Sequence, residues 1–210
     1  MEVPDNPDFA AAMQLTEFNI QFGRVARHIL YVDADGGYHG RLESDPEHSY
    51  KLADLALALA PRLNPGLDLV RVLEYALHHD KIENIVGDTS VWASAEMLDS
   101  KAQREADGMP ALELALSLHP RITEIAHRYH ARADAESRFV FALDKIEAIL
   151  TIIYNRGLTW QDGSITAAMH QEKRVGLRKK VAQAPELLPL FDEIAAYLDA
   201  HPELFAQSAD

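Results

Sequence analysis

The chain has 210 residues, of which 48% are hydrophobic, and this is enough apolar material for one sizeable core. Its 33 acidic and 20 basic side chains give a formal net charge of -13, so its surface repels nucleic-acid phosphates and favours a small-molecule partner over a nucleic acid. The absence of cysteine excludes disulfides, thiolate catalysis and sulfur-bound zinc, and it fits a cytoplasmic protein.

The start of the chain does not resemble a targeting signal, because Met1–Asn6 is acidic and contains Pro4. The richest apolar stretch, Leu52–Ala60, is interrupted by Asp54 and is too short to cross a bilayer. No linker or internal repeat divides the sequence. We therefore expect one domain over residues 1–210 that is cytoplasmic and has no membrane partner, and homo-oligomerisation is left open.

The first half of the chain predicts three helices and one irregular segment. Apolar residues at helical spacing indicate a helix from Phe9 to Arg27. Ile29–Glu43 has two short apolar runs around a Gly-rich turn, which predicts either a short hairpin or a loop insertion. The Ser44-Asp45-Pro46 sequence is typical of a helix start, and this helix should reach about Leu59. The next helix should span Asp68–Ile85, before a natural stop at Gly87.

The second half is also helical by pattern, which makes the predicted class all-α. A polar, irregular segment over 88–100 is followed by five predicted helices, at about 101–118, 120–132, 134–155, 165–182 and 185–200.

Ten histidines need separate interpretations. Those at positions 39, 119, 130, 170 and 201 stand in polar or terminal surroundings, and we predict that they are solvated. His48 instead begins an apolar-faced helix, the pair His79-Asp80 ends the next one, and Asp144 stands among apolar residues inside a later helix. A buried carboxylate is costly unless it is paired or bound to a metal. Taken singly, Asp144 could be ion-paired, His48 could be a cap or core residue, and the pair could be unrelated helix-end residues.

Together, these four side chains form a complete ligand set for one divalent transition metal. Two imidazoles and two carboxylates disfavour calcium and leave Mn, Fe, Co, Ni and Zn open. Because adjacent helix positions point about 100° apart, His79 and Asp80 can both contact an ion between helices, and His48 and Asp144 would reach it from two others. Glu83 shares the face of the His-Asp pair and can stand beside the metal without binding it.

The ordered motifs resemble the HD superfamily of metal-dependent phosphohydrolases. The segments Glu47-His48-Ser49, 76–88 and 135–147 look like the subgroup that includes bacterial 5'-deoxynucleotidases and HD-domain-2 proteins. The resemblance covers about 18–155 and implies an HD-domain helical bundle, on which helices within 163–200 would pack as an extension. The sequence departs from the family between Arg27 and Glu47. There the segment Tyr31–Gly40 is longer than expected, in a region that normally helps to form the base and sugar pocket.

The resemblance also implies roles for individual residues. His48, His79, Asp80 and Asp144 would hold the metal. Asp88 would position or activate the attacking water, and Glu83 would support the site. An arginine before the first motif would contact the phosphate, and Arg24 and Arg27 are both candidates, one helical turn apart.

Two lysines near the motifs have competing interpretations. The favoured interpretation is that Lys81 and Lys101 lie on a solvated face. The alternative is that one of them makes a second positive contact to phosphate, and Lys101 is the next candidate after the two arginines.

The expected function is removal of phosphate from (deoxy)nucleoside 5'-monophosphates, so a nucleotide is the expected partner. A (d)NTP triphosphohydrolase or pyrophosphohydrolase is an alternative, but it would need a longer cationic groove, and few basic residues lie near the motifs. A non-catalytic nucleotide-sensing HD module is a second alternative, against which the complete ligand set, Glu83 and Asp88 argue. Hydrolysis of a cyclic dinucleotide or a stringent-response alarmone is less favoured, because the signatures of those families are absent or different.

Overall fold

The protein is a bundle of helices with one small sheet, in a computed structural model that describes residues 6–32 and 40–207. The prediction of an all-α HD-type bundle is confirmed. The two strands are β1 (Ala26–Leu30) and β2 (Leu42–Ser44), and short 3-10 turns span Pro185–Leu187 and Pro202–Leu204. The helices of the described residues are α1 (Pro7–Phe22), α2 (Asp45–Leu63), α3 (Leu69–His78), α4 (Glu83–Val86), α5 (Ala95–Ala115), α6 (Pro120–His130), α7 (Ala135–Tyr154), α8 (Leu158–Asp162), α9 (Ala167–Val181) and α10 (Leu188–Ala200).

The first helix is shorter than predicted, since α1 stops at Phe22 instead of continuing to Arg27. Gly23 caps it by donating its backbone N–H to the carbonyl of Asn19, and glycine is a poor residue for continuing a helix. The chain then enters β1. The prediction that Arg24 and Arg27 share one helix is therefore wrong, because Arg27 lies on a strand and Arg24 in the turn before it.

The hairpin alternative for the segment near 29–43 is confirmed as an antiparallel pair, but its first strand begins at Ala26. Ala26 lies opposite Ser44, and Leu30 lies opposite Leu42. The Gly-rich turn expected at 33–37 lies outside the described residues, as does His39.

α2 begins where the sequence predicts. Ser44 and Glu47 form a capping box, which satisfies backbone N–H groups at the start of the helix. The helix continues through Pro61 to Leu63, past the end expected near Leu59.

The predicted helix from Asp68 to Ile85 is interrupted. The helix begins close to the predicted position, with Asp68 as the cap of α3, but α3 stops at His78 and α4 begins only at Glu83. Tight turns fill the gap, where the N–H of Glu83 donates to the carbonyl of Asp80 at 2.8 Å. The His79-Asp80 pair therefore lies at a break in the helix, and Glu83 does not share a continuous helical face with it.

The main core lies where α2, α3 and α7 pack together. It contains fully buried apolar residues from all three helices, among them Leu52, Val72 and Leu143. The C-terminal helices contribute to the same cluster through Val181, Leu187, Phe191, Leu198, Leu204 and Phe205. This packing places α9 and α10 against the part of the chain that carries the motifs. The single-domain organisation over 1–210 stays a prediction.

The expectation that His170 is solvated is wrong. Its ring is 2% exposed and lies 4.8 Å from the ring of Trp160 and 5.3 Å from that of Phe205, between centroids. His119, His130 and His201 are partly buried.

Neither interpretation of Lys81 holds. Its side chain is buried, with Nζ 5.2 Å and 5.0 Å from the ring centroids of Phe18 and Phe22, and it donates to Asn19 Oδ1 at 2.8 Å. Lys81 therefore connects α1 to the break after α3, and it does not line the cavity described below. None of the described helices is both long and apolar enough to cross a membrane.

Candidate active site

Four predicted side chains meet where α2, α7 and the break after α3 come together. His48 Nε2 lies 3.2 Å from His79 Nε2 and 3.0 Å from Asp144 Oδ1. Asp80 Oδ2 lies 2.9 Å from His79 Nε2 and 3.8 Å from His48 Nε2. Their side chains are 0% to 14% exposed, so the cluster is nearly withdrawn from water.

The opposite nitrogen of each imidazole is already engaged. His48 Nδ1 lies 2.7 Å from Glu147 Oε2, and His79 Nδ1 lies 3.0 Å from the carbonyl oxygen of Ala76. A carbonyl, and a carboxylate in its ionised form, can only accept, so each Nδ1 carries the hydrogen and each neutral ring directs the Nε2 lone pair into the cluster. When both rings are neutral, two nitrogen and two oxygen lone pairs converge at one place.

This donor set fits a divalent cation. Ligands about 2.1 Å from one ion, at right angles to each other, lie about 3.0 Å apart. The His48–His79, His48–Asp144 and His79–Asp80 atom pairs lie 3.2, 3.0 and 2.9 Å apart, close to this value. His48, His79 and Asp80 also form a group whose ligand atoms all lie within 4.8 Å of one another. Asp144 does not belong to that compact group, but its Oδ1 contacts His48 directly.

The charges of the cluster favour a positive species at its centre. Burial and the nearby guanidinium of Arg27 lower the pKa of His48, but hydrogen bonds to Asp144 and Glu147 outweigh them and raise it to about 9. Burial acts to raise the pKa of Asp144, yet Lys145 and His48 hold it well below its usual range. A proton and a metal ion therefore compete for the same lone pairs.

Arg27, on β1, is the arginine that reaches this site. Its Nη1 donates to Asp80 Oδ2 at 2.6 Å, and its guanidinium also lies 3.3 Å from Glu43 and 3.7 Å from Asp45. Its side chain is 12% exposed. Arg24 is exposed and does not line the cavity beside the cluster. The strand pairing of β1 thus separates two arginines that the sequence left equivalent.

Asp88 and Glu83 lie at the same cavity. Asp88 Oδ2 accepts from the backbone N–H of His28 at 3.3 Å and contacts His28 Nδ1 at 2.9 Å, so β1 orients it. Glu83 is buried and accepts from Lys101 at 3.1 Å. Burial and the charge of Asp80 raise the pKa of Glu83 well above its usual value, although Lys101 opposes this. Lys101 is thus an ion-pair partner of Glu83 at the edge of the cavity.

Sequence reasoning gave no role to three buried carboxylates around the cluster, Glu43, Asp45 and Glu147. Glu43 and Asp45 flank Arg27, and burial and the charge of Asp80 raise the pKa of Asp45 to about 8, although Arg27 opposes this. A signal was present, since Asp45 stands three residues before His48 and Glu147 three residues after Asp144, and residues at this spacing share a helix face.

The cavity has a volume of about 300 Å³. One wall carries Arg27, Asp80, Glu83, Asp88 and Asp144. We call these residues the metal wall. We call the aromatic wall the part of the lining that comes from the loop after α4 and from α7, α8 and α9, which includes Trp92, Lys145, Trp160, His170, Lys173, Leu177 and Lys180. The expectation that few basic residues lie near the motifs is therefore wrong. Lys145 lies within the motif segment 135–147, and Lys173 and Lys180 come from α9, outside the motifs.

Comparison with known proteins identifies the family. Residues 37–186 match the family model described as HD domain. The chain belongs to the HD domain family. The resemblance expected from the four-part motif is confirmed at this level, and the roles of the individual site residues in this HD domain stay predictions.

Three relatives carry the name 5'-deoxynucleotidase. The chain is 32% identical over 139 residues to 5'-deoxynucleotidase HDDC2 of Homo sapiens, which covers 62% of this chain and 65% of that protein. It is 31% identical to the HDDC2 protein of Bos taurus, over 62% of this chain and 64% of the relative. It is 30% identical to 5'-deoxynucleotidase hdd1 of Schizosaccharomyces pombe, over 53% of this chain and 59% of that protein. The match thus spans slightly less than two thirds of each relative.

Two solved structures share the fold. A protein of Magnetospirillum magnetotacticum MS-1, described as a predicted metal-dependent phosphohydrolase, superposes with a TM-score of 0.76 at 24% identity, over 98% of this chain and 100% of that one. A conserved hypothetical protein of Pyrococcus furiosus superposes with a TM-score of 0.60 at 23% identity, over 88% of this chain and 99% of that one.

We expect the protein to bind about one equivalent of a divalent transition metal, and His79→Ala and Asp144→Ala to lose it, because each removes one of four converging donors. Elemental analysis of protein purified without chelators measures this. His127→Ala is the matched control, since His127 pairs with Glu113 on the surface. If both site variants retain as much metal as the parent, the ligand assignment is wrong.

We expect Glu147→Gln to weaken metal binding by about 10- to 100-fold, because changing the carboxylate that orients a ligating imidazole has effects of this size. The amide keeps the volume but loses the negative charge beside His48 Nδ1. Competition with a chelating dye gives the dissociation constant. Glu113→Gln, next to His127, changes the same kind of pair on the surface, and equal affinities for the two variants would contradict a supporting role for Glu147.

Proposed function

We propose that this HD domain is a metal-dependent phosphohydrolase that removes phosphate from (deoxy)nucleoside 5'-monophosphates. The observation that carries the proposal is the convergence of four metal-type donors beside a cavity that two of them, Asp80 and Asp144, line together with Arg27 and Asp88. The names of the curated relatives support the substrate class. The cavity volume of about 300 Å³ is at the lower end of the range for small-ligand sites, which suits a single nucleotide.

Each residue at the metal wall has a chemical task in this proposal. A divalent cation held by His48, His79, Asp80 and Asp144 would supply positive charge that polarises a phosphoryl oxygen and lowers the pKa of water. Asp88 is held by β1 with its carboxylate at the cavity, where it would orient a water molecule or accept its proton. Glu83, paired with Lys101, would keep this side of the cavity polar.

Arg27 would bind the phosphate. The guanidinium Nη2 makes no hydrogen bond to any residue in ranges 6–32 and 40–207, so this nitrogen is available for a ligand while Nη1 contacts Asp80. A planar guanidinium can bind two phosphate oxygens at once, and the surrounding carboxylates keep it charged.

A second candidate is hydrolysis of a nucleoside triphosphate. It is favoured by three lysines in the cavity, Lys145, Lys173 and Lys180, because a triphosphate needs more positive charge than one arginine supplies. Lys145 pairs with Asp144, whereas Lys173 and Lys180 form no ion pair with a described residue. The two candidates differ in product, since a monophosphate yields only phosphate and a triphosphate yields pyrophosphate or triphosphate.

The deciding experiment is a screen of deoxynucleoside and ribonucleoside mono- and triphosphates with each divalent metal, in which phosphate, pyrophosphate and triphosphate are measured separately. We expect phosphate from monophosphates, and we expect Asp88→Asn to bind metal normally while losing activity by about a hundredfold or more. Unchanged turnover in Asp88→Asn would remove Asp88 from the chemistry. No product from any nucleotide by metal-loaded protein would favour a sensing module.

We expect Arg27→Lys to reduce kcat/KM on the active nucleotide by about tenfold or more, because a lysine cannot reproduce the bidentate contact. Arg24→Lys is the matched control and should leave kcat/KM unchanged, since Arg24 is exposed and outside the cavity. Steady-state kinetics on both variants test this. Equal values for the two variants would show that β1 does not supply the phosphate contact.

A further inference from the structure

One face of α9 forms part of the cavity wall. His170, Lys173, Leu177 and Lys180 all line the cavity, and their spacing of three or four residues places them on one side of the helix. The sequence motifs do not include α9, and the chemistry proposed above does not use it. Its contribution to the cavity therefore calls for a separate explanation.

His170 is the residue on this face that differs most from an ordinary surface side chain. It is 2% exposed and lines the cavity, and no hydrogen bond joins its imidazole to a residue among 6–32 and 40–207, although neither ring nitrogen is among the fully buried atoms that lack a partner. Buried polar side chains in folded proteins nearly always have a hydrogen-bond partner, because leaving one unpaired costs free energy. A ring needed only for packing would be better served by phenylalanine.

The neighbours of His170 do not supply that partner. Its ring lies 4.8 Å from the ring of Trp160, 5.3 Å from that of Phe205 and 6.2 Å from that of Trp92, between centroids. Arg174, one turn further along α9, is occupied by Asp199, to which its Nη2 donates at 2.9 Å. A polar ring is thus held among aromatic side chains at the edge of a cavity.

We propose that His170 recognises the base of the substrate through a hydrogen bond at the aromatic wall of the cavity, beside Trp92. The proposal rests on the proposed function, in which the ligand is a nucleotide. It gives the two walls separate tasks, with the phosphate at Arg27 and the metal cluster, and the flat base against the aromatic wall and His170.

The chemistry of His170 suits a base better than a phosphate. Burial and the nearby Arg174 lower its pKa to about 4, although Asp199 opposes this. The ring is therefore neutral near pH 7 and offers one N–H donor and one lone-pair acceptor. The edge of a nucleobase presents donors and acceptors of the same neutral kind, and its faces can pack on aromatic rings. A phosphate would instead require the positive charge that this ring lacks.

The chain carries its own reporter for binding. Its two tryptophans, Trp92 and Trp160, both line the cavity, so a ligand that enters should change the intrinsic fluorescence without background from other tryptophans. The experiment titrates the metal-loaded full chain with dAMP, dTMP and deoxyribose 5-phosphate, a matched ligand without a base. The variants are His170→Phe, which keeps an aromatic ring, and His170→Gln, which keeps a donor and an acceptor, with His127→Phe as a surface control.

We expect His170→Phe to bind at least one of the two nucleotides about threefold to tenfold more weakly, the size of effect expected for one lost hydrogen bond. Its affinity for deoxyribose 5-phosphate should not change, and His170→Gln should recover part of the loss. Equal weakening for the base-containing and base-free ligands would overturn the proposal, because it would indicate a general structural role. Unchanged affinity for both nucleotides, or no binding of either by the parent protein, would overturn it as well.

A measurement on the parent protein covers the case in which the variants do not fold. The ¹⁵N chemical shifts of the His170 ring should move when dAMP or dTMP is added and stay in place with deoxyribose 5-phosphate. The same shift changes with all three ligands, or with none, would count against base recognition. Phosphate release from the same nucleotides is followed in parallel, so that binding without turnover would reject the proposed hydrolysis and leave base recognition by His170 standing.

Discussion

The structure depends on how the helices bury a group of carboxylates near their common centre. Glu43, Asp45, Glu83 and Glu147 are almost completely withdrawn from water around Asp80 and Asp144. Burying so many like charges is prohibitive unless cations or protons accompany them. Each cation is therefore held in an ion pair, and each ion pair connects separate helices or strands. Arg27 joins β1 to the break after α3, Lys51 joins α2 to β2 through Glu43 and to α7 through Glu147, and Lys101 joins α5 to α4.

This constraint explains which features could be predicted from the sequence. Helix starts depend on local chemistry, so the starts of α2 and α3, which Ser44 and Asp68 cap, could be predicted closely from the residues alone. The family resemblance led to the four donors because their order along the chain survives any error in helix boundaries. By contrast, the prediction that Glu83 shares a helix face with His79 and Asp80 required a continuous helix from Asp68 to Ile85. That helix is interrupted at the point where His79 and Asp80 enter the cluster.

The failures share a physical origin, which is that tertiary contacts override local pattern. Periodicity favoured a helix through Arg27, but pairing with β2 places the segment after Gly23 in a strand and brings Arg27 to the carboxylates. His170 has polar sequence neighbours, and its burial depends on Trp160 and Phe205, one from α8 and one from beyond α10. Sequence alone cannot reveal an environment that is assembled from three separate segments.

The same distribution of residues resolves an apparent conflict between the acidic chain and the anionic substrate that we propose. A net charge of -13 acts on a ligand at long range and is screened by salt, whereas the cavity acts at contact distance. Inside the cavity, carboxylates of the metal wall pair with Arg27, Lys101 and Lys145. Two further cations, Lys173 and Lys180, line the same cavity and form no ion pair with a described residue, so they can contact phosphate oxygens. Because the acidic surface gives no general attraction to phosphates, selectivity must come from groups that a ligand reaches only after entry. In the proposed function, recognition therefore depends on the residues that line the cavity, and this is the physical reason to assign base recognition to a neutral histidine among aromatic rings inside it.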